Sequence, residues 1–229
     1  MAGTLAREGR SLTSPDLVLP LLYGLTDSRG ERALTPAEAA RVLFEAGVRL
    51  VQVRDKDRSS RRRLEAARQC VSAAREIAAR LVVNDRPDIA LLSGADGVHV
   101  GEEDLPVWAA RKILPPPRLV GVSTHSVSEA REAMADPGVS YVALGPVFAT
   151  RSKESAHRPL GLDAVAEAAR DMSKPLVAIG GIEPDSVGAV LAAGADTVAM
   201  IAGLLDGDAR RNVELALESA RRAGFEDRF

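Results

Sequence analysis

An alternation repeated eight times limits how this chain can fold more than any other feature. Short runs rich in Val, Leu and Ile occur as LLYGLTD (21–27), VRLVQVR (48–54), RLVVN (80–84), DGVHV (96–100), RLVGVS (118–123), SYVALG (140–145), KPLVAIG (174–180) and ADTVAM (195–200). Longer stretches of helical period separate them, among them TPAEAARVLFEAG (35–47), SVSEAREAMADPG (126–138), GLDAVAEAAR (161–170) and EPDSVGAVLAAGA (183–195). In the first of these, Thr35-Pro36 has the form of a helix start and Gly47 that of a stop. Runs that are apolar on both faces suit parallel strands covered by helices. Eight such units close a barrel, so the predicted fold class is α/β, a single (β/α)8 TIM barrel. The runner-up, a doubly wound open sheet, usually carries a glycine-rich turn after its first strand, whereas the turn here is TDSRGER.

The chain has 229 residues, a size usual for one such barrel, and no change of composition marks a linker. The barrel is assigned to residues 17–223, with a polar N-terminal tail at 1–16 and a C-terminal tail at 224–229. The run LVLPLLYGL (17–25) has the length of a signal-peptide core. However, Asp16 precedes it, and Thr26-Asp27-Ser28-Arg29 follows without a small-residue cleavage pattern. No apolar run reaches membrane-spanning length. A net charge of −2 announces no basic surface for nucleic acid or anionic membrane, so any attraction for phosphate must be local. The single cysteine, Cys70, rules out an intramolecular disulfide and lies in a helical pattern, where an inert thiol is expected. The expected compartment is the cytoplasm.

In a barrel the βα loops gather at the C-terminal ends of the strands, so the polar residues there form one constellation. Strand two ends in VQVRDKD (51–57). Alternation puts Gln52 and Arg54 on one face, and Lys56 follows. The plainer account of Arg54 is a charged turn in which it pairs with a nearby acid. Strand three ends at Asn84-Asp85, and strand four runs into Gly101, Glu102, Glu103 and Asp104. Mg2+ takes oxygen ligands, typically one or two carboxylates plus water and substrate phosphate, and Asp85 and Asp104 could supply that pair. Taken singly, each is better explained as the N-cap of a following helix, one around Pro87–Leu92 and one after Leu105-Pro106.

Strand five offers Ser123 and His125. Strand six opens the long loop LGPVFATRSKESAHRPLG (144–161), which carries Thr150, Ser152 and Lys153, while Arg151, Glu154 and His157 are expected to be merely solvated. Gly180 and Gly181 after strand seven, with a short helix starting near Ile201–Leu204, stand where many such barrels bind phosphate. These positions imply an enzyme acting on anionic substrates. One phosphate would sit at strands seven and eight, and a second, metal-bound anion near Arg54, Lys56, Asp85, Asp104 and Lys153. Two anion sites facing each other suggest group transfer between phosphorylated molecules.

From about Tyr23 to Leu205, the motifs VQVRDK, VVND, GVHVGEED, GVSTHS, LGPVFATRSK, AIGGI and GADTVAMI occur in an order and spacing that resemble the thiamine phosphate synthase family. The resemblance implies an α/β barrel that joins hydroxymethylpyrimidine diphosphate to a thiazole phosphate, giving thiamine phosphate and pyrophosphate with Mg2+ as cofactor. It also implies residue roles. Gln52, Arg54, Lys56 and Asn84 would contact the pyrimidine diphosphate, Gln52 nearest the ring. Asp85 and Asp104 would hold Mg2+, and Ser123 and Lys153 the diphosphate. Thr150, Ser152, Gly181 and the Ile201-Ala202 backbone would hold the thiazole phosphate. Arg54, Ser123 and Lys153 would be the catalytic groups, and no tuned general base is required.

Departures from the family pattern are Asp55 for a common Glu, Glu102 for Gln, Ser152 for Thr and Ala202 for Ser. Glu102 adds a negative charge near a diphosphate unless it faces solvent, and Ala202 leaves only backbone N–H for its contact. A thiazole tautomerase shares this barrel, but Pro146 stands where its His is expected, and both acids are present. The remaining alternative is a non-catalytic phosphate-ligand sensor, against which Lys153 and the acid pair argue. The implied partners are small phosphorylated molecules, with no nucleic acid and no membrane. Whether the chain forms a homo-oligomer is left open.

Overall fold

Each of the eight apolar runs forms a strand: β1 (Leu22–Leu25), β2 (Leu50–Val53), β3 (Arg80–Asn84), β4 (Gly97–Val100), β5 (Leu119–Thr124), β6 (Tyr141–Leu144), β7 (Leu176–Ile179) and β8 (Thr197–Met200). The computed structural model describes residues 17–27, 34–55, 59–150 and 157–226. Expectations for the tail 1–16 and for Lys56, Ser152 and Lys153 lie outside the described residues. Every strand pairs in parallel with its neighbour in chain order. The pairing of β8 with β1, Leu22 opposite Val198 and Gly24 opposite Met200, closes the barrel and rules out the open sheet.

The helices are α1 (Pro36–Glu45), α2 (Ser60–Glu76), α3 (Pro87–Ser93), α4 (Val107–Ile113), α5 (Val127–Ala135), α6 (Gly161–Arg170), α7 (Val187–Ala192), α8 (Ala202–Leu205) and α9 (Ala209–Arg222), with a 3-10 turn at Pro184–Ser186. Helix α1 shows how local chemistry sets a boundary. The Thr35 side chain accepts the Glu38 N–H at 3.3 Å, and the Glu38 carboxylate accepts the Thr35 N–H at 2.8 Å. This reciprocal pair satisfies two of the donors that a helix start leaves open. Pro36 fills the first turn without removing a needed donor, and Ala39, Ala40, Leu43 and Phe44 form the buried stripe.

Strand alternation divides the core in two. Leu22, Val51, Val53, Leu81, Val83, Val98, Val120, Val142, Leu144 and Val198 pack outward against the helices. Tyr23, Leu25, Leu50, Val82, Leu119, Tyr141, Ala143, Val177 and Ala199 fill the barrel interior. Room inside is matched across strands: a Cβ on Gly121 would lie 2.1 Å from the Tyr141 ring. Cys70, in α2, is buried with its Sγ 3.6 Å from the Pro36 carbonyl, and burial pushes its thiol up to about 12. It is inert at neutral pH. After α9, Phe225 packs against the outer core. Among the described residues no helix is long and apolar enough to cross a membrane.

Candidate active site

The barrel delivers the ends of its parallel strands to one rim. Gln52 lies in β2 and Arg54 directly follows it; both are buried, at 2% and 4% exposure. Arg54 is held at both ends. Its backbone N–H donates to Thr26 Oγ1 at 3.0 Å, and its Nη1 meets Asp27 Oδ1 at 3.1 Å. Arg54 does pair with an acid, but the acid belongs to the end of β1 and not to Arg54's own turn. A guanidinium presents five donors in a fixed plane, and this pairing orients it.

Gln52 starts a chain of hydrogen bonds that crosses the interior. Its Nε2 donates to Tyr23 Oη at 2.9 Å, and Tyr23 Oη lies 3.0 Å from Tyr141 Oη. Tyr141 Oη is 3.1 Å from His99 Nδ1, and His99 Nε2 is 2.9 Å from Ser123 Oγ. The His99 and Tyr141 rings stack with centroids 5.6 Å apart, and Tyr23 meets Tyr141 edge-on at 6.1 Å. Burial pushes both phenols well above their ordinary range, so both keep their hydrogens.

The two acids follow adjacent strands. Asp85 leaves β3 with φ +65°, a left-handed conformation, and its N–H donates to the His99 carbonyl at 2.8 Å. Arg86 occupies the N-cap position of α3, and its guanidinium is engaged by Asp88 at 2.8 and 2.6 Å, which holds the Asp88 carboxyl below its usual range. Asp104 Oδ2 accepts the Gly101 N–H at 2.7 Å, closing the loop after β4, while Pro106 takes the N-cap position of α4. Neither acid caps the following helix. Asp85 has the wrong backbone conformation, and Asp104 is folded back on its own loop. Asn84, paired with His99 in the ladder, stands beside them. Glu102 is exposed, so its extra charge faces solvent.

Among the described residues no group of three or more His, Cys, Asp or Glu side chains is arranged to hold a metal alone. Two half-buried carboxylates on neighbouring loops, an all-oxygen donor set, nonetheless fit Mg2+, whose remaining ligands are water and phosphate oxygens.

On the opposite side of the mouth three loops meet backbone to backbone. Val147 and Phe148 donate to the carbonyls of Ile179 and Gly180, each at 2.9 Å. Gly181 has φ +65°, and a Cβ there would lie 2.3 Å from the Ala149 carbonyl oxygen and 2.7 Å from that of Phe148. A Cβ on Gly203 would come 2.7 Å from the Ile182 carbonyl oxygen. Thr150 follows this strip half-buried, and Ile201-Ala202 begins α8. His125 gives its Nδ1 hydrogen to the Gly145 carbonyl at 2.8 Å. His157, expected to be only solvated, is exposed but stacks on His125 with centroids 3.8 Å apart.

The family model described as thiamine monophosphate synthase matches residues 22–204. The chain belongs to that family. It is 45% identical over 189 residues to the thiamine-phosphate synthase of Anaeromyxobacter dehalogenans, covering 82% of this chain and 84% of that one. The thiamine-phosphate synthase of Methanoculleus marisnigri is 43% identical over 207 residues, 89% of this chain and 98% of the other. Among solved structures, the thiamine phosphate pyrophosphorylase from Pyrococcus furiosus superposes with a TM-score of 0.78 at 32% identity, covering 89% and 96% of the two chains.

Sequence reasoning about this family member missed Asp27, Tyr23, His99 and Tyr141. One signal was present: the chain has only two tyrosines, and both fall in predicted strands. Asp27→Asn is expected to keep the fold and an acceptor oxygen for Arg54 while losing the charge, costing about 1–2 kcal/mol. Urea unfolding measures the loss, and an unchanged midpoint would show that the pair contributes nothing.

Proposed function

We propose that the rim residues of β2 to β5 hold a pyrimidine diphosphate with Mg2+, and that the strip joining β6, β7 and β8 holds a thiazole phosphate. As a member of its family the chain is a transferase that forms thiamine phosphate from these two substrates. One observation carries the residue assignment: Gln52, Arg54, Asn84, Asp85, Ser123 and Gly181 all lie at the C-terminal ends of β2, β3, β5 and β7, on one rim of the parallel barrel. Gln52 commits its amide nitrogen to Tyr23, which leaves its carbonyl oxygen as an acceptor for the pyrimidine amine. Arg54 offers its guanidinium charge, and Ser123 its hydroxyl, to the diphosphate. Lys56 and Lys153 add charge there, and Ser152 and Thr150 add hydroxyls for the thiazole phosphate, as do the Ile201 and Ala202 backbone N–H groups.

The bond from the pyrimidine methylene to the diphosphate oxygen breaks with its electron pair leaving on oxygen. The aminopyrimidine spreads the resulting positive charge, and the thiazole nitrogen closes the new C–N bond. Holding two substrates in line is worth roughly 7–11 kcal/mol in well-oriented systems. Asp85 and Asp104 would hold Mg2+, which when bound neutralises charge on the departing diphosphate. The catalytic unit is residues 17–223, and the compartment is the cytoplasm.

The test is direct. Purified protein with both substrates and Mg2+ is expected to release pyrophosphate and thiamine phosphate, to stop when EDTA is added, and to resume with excess Mg2+. Absence of product would sink the reaction assignment, and product formed equally fast in EDTA would sink the metal assignment alone.

A further inference from the structure

We propose that Tyr23, Tyr141 and His99 are positioning residues, forming a one-way hydrogen-bond chain started by Gln52 that makes Ser123 a hydrogen-bond donor to the substrate. The argument begins at Gln52, whose amide nitrogen can only donate. Tyr23 Oη, 2.9 Å away, is therefore an acceptor toward β2. A phenol carries one hydrogen, and the second partner of Tyr23 is Tyr141 Oη at 3.0 Å, so Tyr23 donates there. The single hydrogen of Tyr141 then passes to His99 Nδ1 at 3.1 Å. A neutral imidazole that accepts at Nδ1 carries its hydrogen on Nε2, which donates to Ser123 Oγ at 2.9 Å. The hydroxyl of Ser123 thus receives from behind, and its own hydrogen remains for an acceptor in the mouth.

With the Gln52 nitrogen facing Tyr23, the opposite direction carries a specific defect. If Tyr141 donated to Tyr23, the Tyr23 oxygen would receive two hydrogens and its own would be stranded in an interior where Tyr23 is 1% and Tyr141 0% exposed. Burial keeps both tyrosines protonated, so neither phenol can shed its hydrogen to escape the constraint. The edge-on and stacked ring contacts fix the order in which the hydroxyls meet.

The functional half of this proposal rests on the assignment of Ser123 to the diphosphate, but the direction of the chain can be measured without it. In ligand-free whole protein carrying 15N-labelled histidine, long-range proton–nitrogen correlation is expected to show His99 with its hydrogen on Nε2 and a bare Nδ1. A hydrogen on Nδ1, or on both nitrogens, overturns the chain. Tyr141→Phe removes the donor to Nδ1 and should lower the share of that tautomer, and an unchanged spectrum overturns it too. In the coupling assay His99→Leu should lower kcat/KM by about tenfold or more, the loss expected for a donor to a charged acceptor. Adding Ser123→Ala to that variant should cost nothing further, and His99→Gln, which restores an N–H at the same reach, should recover most of the rate. Full additivity, or wild-type kcat/KM in folded His99→Leu, removes the positioning role. A wild-type protein that fails to couple the substrates would instead defeat the site assignment and leave the tautomer result standing.

Discussion

Asp85→Asn and Asp104→Asn proteins are expected to fold normally yet to couple substrates roughly 30- to 1000-fold more slowly, with the Mg2+ requirement raised. That range corresponds to about 2–4 kcal/mol of lost charge stabilisation. The fold survives for reasons visible at each position. Asn is among the few residues at ease in the left-handed conformation that Asp85 adopts at φ +65°. At 104 the amide oxygen of Asn can still accept the Gly101 N–H that the carboxylate accepts at 2.7 Å. Each substitution therefore changes charge and little else. Rates measured across an Mg2+ titration check the prediction. Wild-type rates at low Mg2+ in both variants would remove the acids from the metal site.

Gly181→Val should all but eliminate productive thiazole-phosphate binding. A valine at φ +65° is strained by about 1–3 kcal/mol before any contact is counted. Its Cβ would also lie 2.3 Å from the Ala149 carbonyl oxygen, which is backbone and has no rotamer through which to retreat. The strip Phe148–Thr150 must move, carrying Thr150 out of place. Calorimetric titration with the thiazole phosphate, alongside a circular dichroism check of the fold, tests this. Normal affinity in a folded variant would mean that the phosphate sits elsewhere.

The barrel was legible because short runs apolar on both faces and longer stretches of 3.6-residue period differ in kind, and eight alternations leave few ways to arrange a sheet. The rim followed from the fold, since parallel strands present Gln52, Arg54, Asn84, Asp85, Ser123 and Gly181 at one end once their direction is known. The polar interior was not legible. Tyr23 and Tyr141 lie 118 residues apart, and in LLYGLTD and SYVALG each looks like an ordinary strand aromatic. Only the closed barrel brings their hydroxyls together. Asp27 was hidden in what looked like turn chemistry. The capping account of Asp85 and Asp104 failed because acids followed closely by prolines, in NDRP and EEDLP, mimic helix starts, while the backbone torsion that excludes the role at Asp85 leaves no trace in the letters.

Gly121 and Tyr141 together make a single steric unit. The ring occupies the space that a side chain on the neighbouring strand would need. Neither position can drift independently: any residue larger than glycine at 121 evicts the tyrosine. Losing the tyrosine first, by contrast, leaves room for 121 to grow. Any stepwise conversion of this barrel to one with an apolar interior must therefore change β6 before β5. A designer grafting the aromatic into a related barrel must transplant its glycine as well.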